Sequence, residues 1–580
     1  MANDGRIESL DCVVVGAGWY GLAAAKQYHC TQPSKSLAVI DSQASLGGTW
    51  ADERLYPDLK SNNLLGTFEY PDFPMDTATF GVKPGEHMPG RVINTYLKAY
   101  ADKFGIASLI RLESKVVVAE HQDTDDGGWI LTVAKPKQDQ TMIYTRRLIV
   151  ASGLTSEAFL PHFAGQETFG GRIFHGKHFL QNSDTLKTAK SVTIFGGTKF
   201  AWDAVYSYAT AGVKVNWVIR YIRFLTWFSP CIWGDVDGYS RIRSFYHGTA
   251  IGRAIVNTFW TVLGNDVLTL NGYDSNPKTA KLKPWTEAMF TGASFSILNY
   301  DTDIFELIKG DMVDVYVGEI DHLSPGKVNL ADGTEFDSDV LLANTGWKHV
   351  PPIKFLPGGV EKELGIPHIP ALDAPAVDLA NQHELIERVD KDILARFPRL
   401  KDQPVWNKHY IPITEQKGID SQDEVTPCTP LTPYMLYHFI LPPSTRFLRT
   451  RDTAFVGIVS NFSNMITAHL QGLWISAYFS GLLANTDPVA ALENGEVMER
   501  LRYETALHNR FGKWRYPTDW GHRNPNFIFD AVPYLDLLQR DLGLNIYRKK
   551  GFLAEISNPY GPEDYGGVNE EWLKKQESAS

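Results

Sequence analysis

The chain has 580 residues and a mass of 65.0 kDa, with 43% apolar and 21% charged residues, the balance of a globular protein long enough for about three or four domains. A formal net charge of -11 and a pI near 5.8 argue against a nucleic-acid surface, so no nucleic-acid partner is expected. No apolar run approaches the roughly 18 residues of a membrane helix; the nearest, Ala250 to Gly264, is broken by Arg253 and Asn257.

The N-terminus, MANDGRIESLD, lacks the charged-then-apolar layout of a signal peptide, and a cytoplasmic location is expected. Cys12, Cys30, Cys231 and Cys428 are scattered, which fits a reducing compartment and excludes a dithiol centre; no metal site is expected.

Residues 11–21, DCVVVGAGWYG, combine an apolar strand with Gly16, Gly18 and Gly21 in a G-x-G-x-x-G turn into a helix. Such a turn lets a backbone approach a pyrophosphate, and the helix start offers N–H groups and partial positive charge to it. A second strand, LAVID, ends at Asp41, twenty residues after Gly21, where a carboxylate can accept from a ribose hydroxyl. Strand, helix and terminal acid in register make a dinucleotide site. The strand RLIVASG at 147–153 returns to the same sheet.

The segment SVTIFGGTKFAWD, Ser191 to Asp203, echoes this layout. Gly196 takes the place of Gly16 and Ala201 that of Gly21, while Thr198 stands where the second glycine belongs and crowds a pyrophosphate. The next strand, VKVNWVIR, ends at Arg220, a cation suited to a 2′-phosphate where an NAD site has an acid; Arg223 is a second candidate. Two nucleotide units in one chain point to two cofactors that exchange electrons. From 221 to 300 runs an aromatic-rich insertion with Trp227, Trp233 and Trp260, either a helical subdomain or a substrate-binding wall. The strand DSDVLLANTGW closes the second unit. A proline-rich stretch, the strand TAFVGIVSNF and the helix AHLQGLWISAYFSG follow, then a polar tail whose last ten residues are expected to lack fixed structure.

Four segments, GGTW at 47–50, SNNLLGTFEYPDFP at 61–74, FGGRIFHGKHF at 169–179 and DVLLANTGW at 339–347, resemble those of the flavin-containing monooxygenases, the class B flavoprotein monooxygenases that include Baeyer–Villiger enzymes, in the version found in fungal secondary metabolism. Gly47-Gly48-Thr49-Trp50 resembles the GG-T/L-W element beside the flavin. SNNLLGTFEYPDFP, Ser61 to Pro74, resembles the segment that carries an active-site asparagine, which falls on Asn62. Phe169, Gly171, His175 and Phe179 match the F-x-G-x-x-x-H-x-x-x-aromatic fingerprint, with His175 expected to position the linker rather than to transfer a proton. Asp339 to Trp347 resembles D-x-x-x-x-A-T-G-aromatic, with Asn344 in the alanine's place. Thr467-Ala468 and Gln471 resemble a T-A-E-L-Q segment at the flavin ring, with His469 in place of the glutamate; by its sequence alone Gln471 is equally a helix-surface glutamine.

The resemblance implies an α/β fold of two Rossmann-like domains, the NADPH domain inserted into the FAD domain. Residues 1–165 and 346–485 would form the FAD domain, 166–189 the fingerprint linker, 190–345 the NADPH domain with its insertion at 221–300, and 486–580 a C-terminal extension. FAD would lie on Gly16, Gly18, Gly21, Asp41, Gly48, Thr49, Trp50 and Gln471. NADPH would lie on Gly196, Gly197, Thr198, Lys199, Ala201 and Arg220. The implied reaction passes a hydride from NADPH to FAD, adds dioxygen at the flavin C(4a) carbon and transfers one oxygen atom to a small organic substrate. Asn62 and Phe179 point to the branch that oxidises heteroatoms. Baeyer–Villiger oxidation of a ketone and an NADPH oxidase or dehydrogenase without oxygen transfer are the alternatives.

Overall fold

The run from Cys12 to Val15 is buried residue after residue, and a strand without alternation is covered on both faces. That places β1 (Glu8–Val15) at the centre of the main sheet. The computed structural model describes residues 7–196, 199–212, 229–236, 238–284, 286–290, 299–370, 376–405, 411–485, 487–517, 527–551, 554–555 and 558–579, with only the backbone described at 376–381 and 579.

From β1 the chain turns into α1 (Trp19–Thr31) and returns as β2 (Leu37–Ile40), whose residues pair in parallel with Cys12–Val15. The antiparallel pair β3 (Lys60–Leu64) and β4 (His87–Pro89) leads to α2 (Gly90–Lys103) and β5 (Ile110–Arg111). An antiparallel meander follows: β6 (Lys115–His121), β7 (Trp129–Ala134) and β8 (Thr141–Val150). Next come β9 (Arg172–His175), β10 (Val192–Phe195), α3 (Lys199–Thr210), α4 (Ala250–Asn271) and β11 (Val340–Ala343). The remaining elements used below are β12 (Lys354–Leu356), β13 (Thr453–Phe455), α5 (Asn464–Ser480), α6 (Gly495–Arg515), α7 (Ala531–Asp541) and α8 (Val568–Ala579).

The main sheet has eight strands in the order β12-β6-β7-β8-β1-β2-β5, with β13 also on β8. β8 forks it: Thr141–Thr145 pair with β7, whereas Leu148–Val150 pair in parallel with β13. The second sheet is wholly parallel, β9-β11-β10, and its three strands end together at His175, Ala343 and Phe195. In open parallel sheets ligands bind beyond these carboxyl ends. α5 is buried from Met465 to Phe479, as a helix apolar all round must be. It lies on α1, where a Cβ on Gly472 would come within 3.0 Å of the Ala23 carbonyl oxygen.

The tail corrects one expectation. Residues 571–579 continue α8, with Val568 and Trp572 buried. Asn569 and Gln27 of α1 exchange two amide hydrogen bonds of 2.7 and 3.0 Å. One buried apolar residue per turn is enough to dock a helix, and the polar composition hides it. The insertion and the tail also share a core. Trp233 packs on Phe527 and Tyr534, and Trp260 on Phe529, so these two tryptophans are interior residues rather than a pocket wall. Among the described residues no helix is long and apolar enough to cross a membrane.

Candidate cofactor-binding and active site

Close backbone approach explains the first glycine turn. A Cβ on Gly21 would sit 1.9 Å from the Gly16 carbonyl oxygen, and one on Gly16, at φ +115°, would sit 2.4 Å from that of Ala151. Gly18 caps α1 without a side-chain hydrogen bond, and no acid lies in the first turn, so the helix end presents its N–H groups outward. Asp41 is buried at the end of β2, and its two oxygens accept from the N–H groups of Ala17 (2.6 Å) and Gln43 (2.8 Å). Burial raises its carboxyl above the usual range, against the pull of these bonds. Each oxygen keeps a lone pair for a ribose hydroxyl.

The Gly47-Gly48 turn lies against the first. Gly47 N–H donates to the Ala17 carbonyl at 2.9 Å, and a Cβ on Gly48 would come within 3.0 Å of the Gly18 Cα. Thr49 is exposed and Trp50 half-buried, with the Trp50 carbonyl held by Asn94 at 2.8 Å. Asn62 is exposed on β3 beside fully buried Ser61. The Ser61 carbonyl meets Asn299 Nδ2 at 3.0 Å and His87 Nδ1 at 2.9 Å, and Ser61 Oγ accepts from Met88 N–H at 2.9 Å. The strand under Asn62 is therefore fixed from two sides, by β4 and by Asn299.

The fingerprint residues build the joint between the two sheets. Phe169 and Phe179 are buried in separate apolar cores, Phe179 against Tyr56 and Tyr208. Gly171 lies where a Cβ would come within 2.2 Å of the Asp339 carbonyl oxygen, at the start of β11. His175 ends β9; its Nδ1 accepts from Lys177 N–H at 3.1 Å, and its ring meets Trp347 edge-on at 5.0 Å. Burial pushes its pKa down to about 4, so the imidazole is neutral at physiological pH.

In the second unit Gly196, at φ +134°, precedes α3; a Cβ there would lie 2.6 Å from the Asn344 carbonyl oxygen. Ala201 is buried on α3. Lys199 pairs with Asp203, one turn on, and donates to Asn299 Oδ1 at 2.9 Å. The hydroxyls of Tyr56 and Tyr300 donate to the same Asp203 at 2.7 and 2.8 Å. Gly197, Thr198 and Arg220, like Arg223 and Trp227, lie outside the described residues.

Known proteins match this arrangement. Residues 11–215 match the flavin-binding monooxygenase-like family model. The chain is 31% identical to the FAD-dependent monooxygenase resA of Aspergillus sclerotiorum over 98% of its own length and 99% of that protein's. It is 32% identical to an FAD-dependent monooxygenase of Pyrenophora dematioidea, over 94% of this chain and 100% of that one. The chain belongs to the flavin-binding monooxygenase-like family. The polycyclic ketone monooxygenase of Thermothelomyces thermophila shares the fold, with a TM-score of 0.55 at 15% identity, over 93% of this chain and 89% of that one.

This monooxygenase carries the α/β fold and the enzyme class that its sequence leads one to expect, and FAD is the cofactor that its relatives' descriptions name. The first turn fits a dinucleotide: a bare helix end, glycines whose side chains would fill the cradle, and a carboxylate at the end of β2. Gln471 is neither on the surface nor half-open. It is fully buried, with Oε1 accepting from Gly457 N–H at 3.3 Å and Nε2 donating to Tyr534 Oη at 2.8 Å, which fixes the turn after β13. Two residues that no motif singles out sit at the joint: Asn299, which grips the strand of Asn62, and Arg54, whose guanidinium lies 5.8 Å from the Trp347 ring centre. Arg54 follows the GG-T-W element by four positions, the one cue its sequence offers.

Proposed function

We propose that this protein is an FAD- and NADPH-dependent monooxygenase that places one atom of dioxygen on a small organic substrate by electrophilic oxygenation of a heteroatom. The observation that carries the reading is the side chain at position 62, a neutral amide exposed on a strand whose Ser61 carbonyl meets Asn299 and His87 and whose Ser61 hydroxyl accepts from Met88 N–H. When bound, the flavin supplies hydride acceptance and the activation of dioxygen.

The chain's own residues bind and orient. Asp41 and the glycine turns hold one dinucleotide, and Gly196 with the start of α3 receives the other. Asn62 Nδ2 offers a hydrogen bond that does not titrate, whereas an aspartate there would bring a negative charge, the arrangement suited to nucleophilic attack on ketones. His175, neutral at physiological pH, is not an imidazolium acid there and acts by packing on Trp347.

The test supplies the flavin-loaded protein with NADPH and, in turn, an aryl methyl thioether, a tertiary amine and a cyclic ketone. Sulfoxide or N-oxide is the expected product, and Asn62→Ala diverts NADPH electrons to hydrogen peroxide. Lactone from the ketone alone would overturn the electrophilic reading in favour of Baeyer–Villiger chemistry. NADPH consumption that yields only hydrogen peroxide would favour an oxidase.

A further inference from the structure

Three basic side chains gather where the two sheets meet. Arg54 comes from the loop after the GG-T-W element, and Lys177 and His178 from the fingerprint linker. Gln181 Nε2 donates to the Glu53 carbonyl at 2.7 Å and so fastens the Arg54 loop to that linker. The Lys177 ammonium donates to the Ser156 carbonyl. Arg54 is half-buried, and no ion pair or side-chain hydrogen bond engages its guanidinium among the described residues. The acids whose charge reaches it are spent elsewhere. Asp41 holds Ala17 and Gln43, and Glu53 turns back to accept from Ala44 N–H at 2.8 Å and from the Ser45 hydroxyl.

A half-buried cation without a carboxylate is costly unless an anion completes it. Burial pushes Arg54 down to about 10, and burial first, then the mutual repulsion of these cations, lowers Lys177 and His178 as well. The place narrows the anion. Trp347 comes just past the carboxyl end of β11, the same edge at which β10 turns through Gly196 into α3. Arg54 thus reaches from the FAD half onto the ligand-binding edge of the second sheet. An arginine stacked on an aromatic face presents a planar fork that fits two phosphate oxygens at once.

We propose that Arg54 receives the diphosphate of the nicotinamide dinucleotide on the second sheet, with Trp347 orienting its guanidinium and Lys177 beside it. The assignment rests on the NADPH reading above. It makes binding of the second cofactor depend on a residue of the first half of the chain, so that the two halves close on one ligand.

The test is a titration of the flavin-loaded protein with NADP+ and with NAD+, followed by flavin fluorescence, in the parent, Arg54→Gln and Arg54→Lys proteins. Flavin content is measured in each. Arg54→Gln should weaken both nucleotides by a similar factor, about ten- to a hundredfold, with flavin content unchanged, and Arg54→Lys should recover only part of the loss. Unchanged NADP+ affinity in Arg54→Gln overturns the assignment. A loss confined to NADP+ moves Arg54 to the 2′-phosphate, and loss of flavin moves it to the FAD diphosphate; either result overturns it. A parent protein that keeps its flavin and binds neither nucleotide overturns the NADPH reading itself.

Discussion

The carboxylate of Asp41 accepts the N–H of Ala17 at 2.6 Å, across the mouth of the glycine turn. This bond joins the end of β2 to the glycine turn, so one residue shapes the turn and, in the function proposed above, would also face the ribose of the bound dinucleotide. In Asp41→Asn one carboxylate oxygen becomes an N–H₂, which either confronts the Ala17 N–H or gives up the Gln43 bond. A charge-assisted bond of this kind contributes about 1.5–3 kcal/mol. FAD affinity should fall by about ten- to a hundredfold, read as the dissociation constant of the apoprotein by flavin fluorescence. Flavin retention equal to that of the parent would remove Asp41 from the site.

Gly171 is required for a steric reason. With the Asp339 carbonyl oxygen 2.2 Å from its Cβ position, Gly171→Ala has to push β9 away from β11. Overpacking of this sort costs about 1–3 kcal/mol, and here it also displaces His175, the last of the four paired residues that follow Gly171. The variant should melt several degrees lower and lose nicotinamide-nucleotide affinity while its flavin stays bound. Equal loss of both cofactors would mean that the strain spreads through the main sheet instead.

The parts legible in the sequence are those written in local pattern. The glycine turn, the buried strands on either side of it, the GG-T-W element and the fingerprint each concern residues close in sequence, and the close approaches at Gly16, Gly21 and Gly171 explain the spacing. Contacts set by tertiary approach were hidden. Asn299 reaches Ser61 across 238 residues, and Asn569 reaches Gln27 across 542. Nothing in a polar segment announces such a partner. Gln471 misleads for a related reason: a glutamine reads as surface unless its partners, Gly457 and Tyr534, are known.

His469 gives the protein a weakness to acid. It is fully buried on α5, within 3.3 Å of Gln27 Nε2 and 3.6 Å from Asp72, which itself pairs with buried Lys26. Burial pushes its pKa down to about 4, although Asp72 pulls the other way. The unfolded chain, with a histidine near 6.5, binds more protons between those values, so stability present at pH 7 is lost as pH falls from about 6.5 toward 4. One such group accounts for about 3 kcal/mol over that window. Denaturant midpoints measured between pH 7 and pH 5 should therefore fall in the parent and fall less in His469→Gln. Parallel curves would assign the acid sensitivity to other groups, such as His175, which shares the same direction and cause.

Asn299 offers the sharpest separation of positioning from folding. Its Nδ2 donates to the Ser61 carbonyl at 3.0 Å, and its Oδ1 accepts from Lys199, so one amide ties the strand of Asn62 to the first turn of α3. Asn299→Ala removes both bonds, yet His87 still faces the Ser61 carbonyl, and the stability cost should be about 1 kcal/mol. Asn299→Asp keeps an acceptor for Lys199 but turns a carboxylate toward the carbonyls of Lys60 and Ser61, which repel it. If Asn299 positions Asn62, hydrogen peroxide released per NADPH should rise severalfold in Asn299→Ala and further in Asn299→Asp, at unchanged flavin content. If the Lys199 contact alone matters, Asn299→Asp should behave as the parent does. The order of the two variants decides between a residue that aims the active-site strand and one that only braces α3.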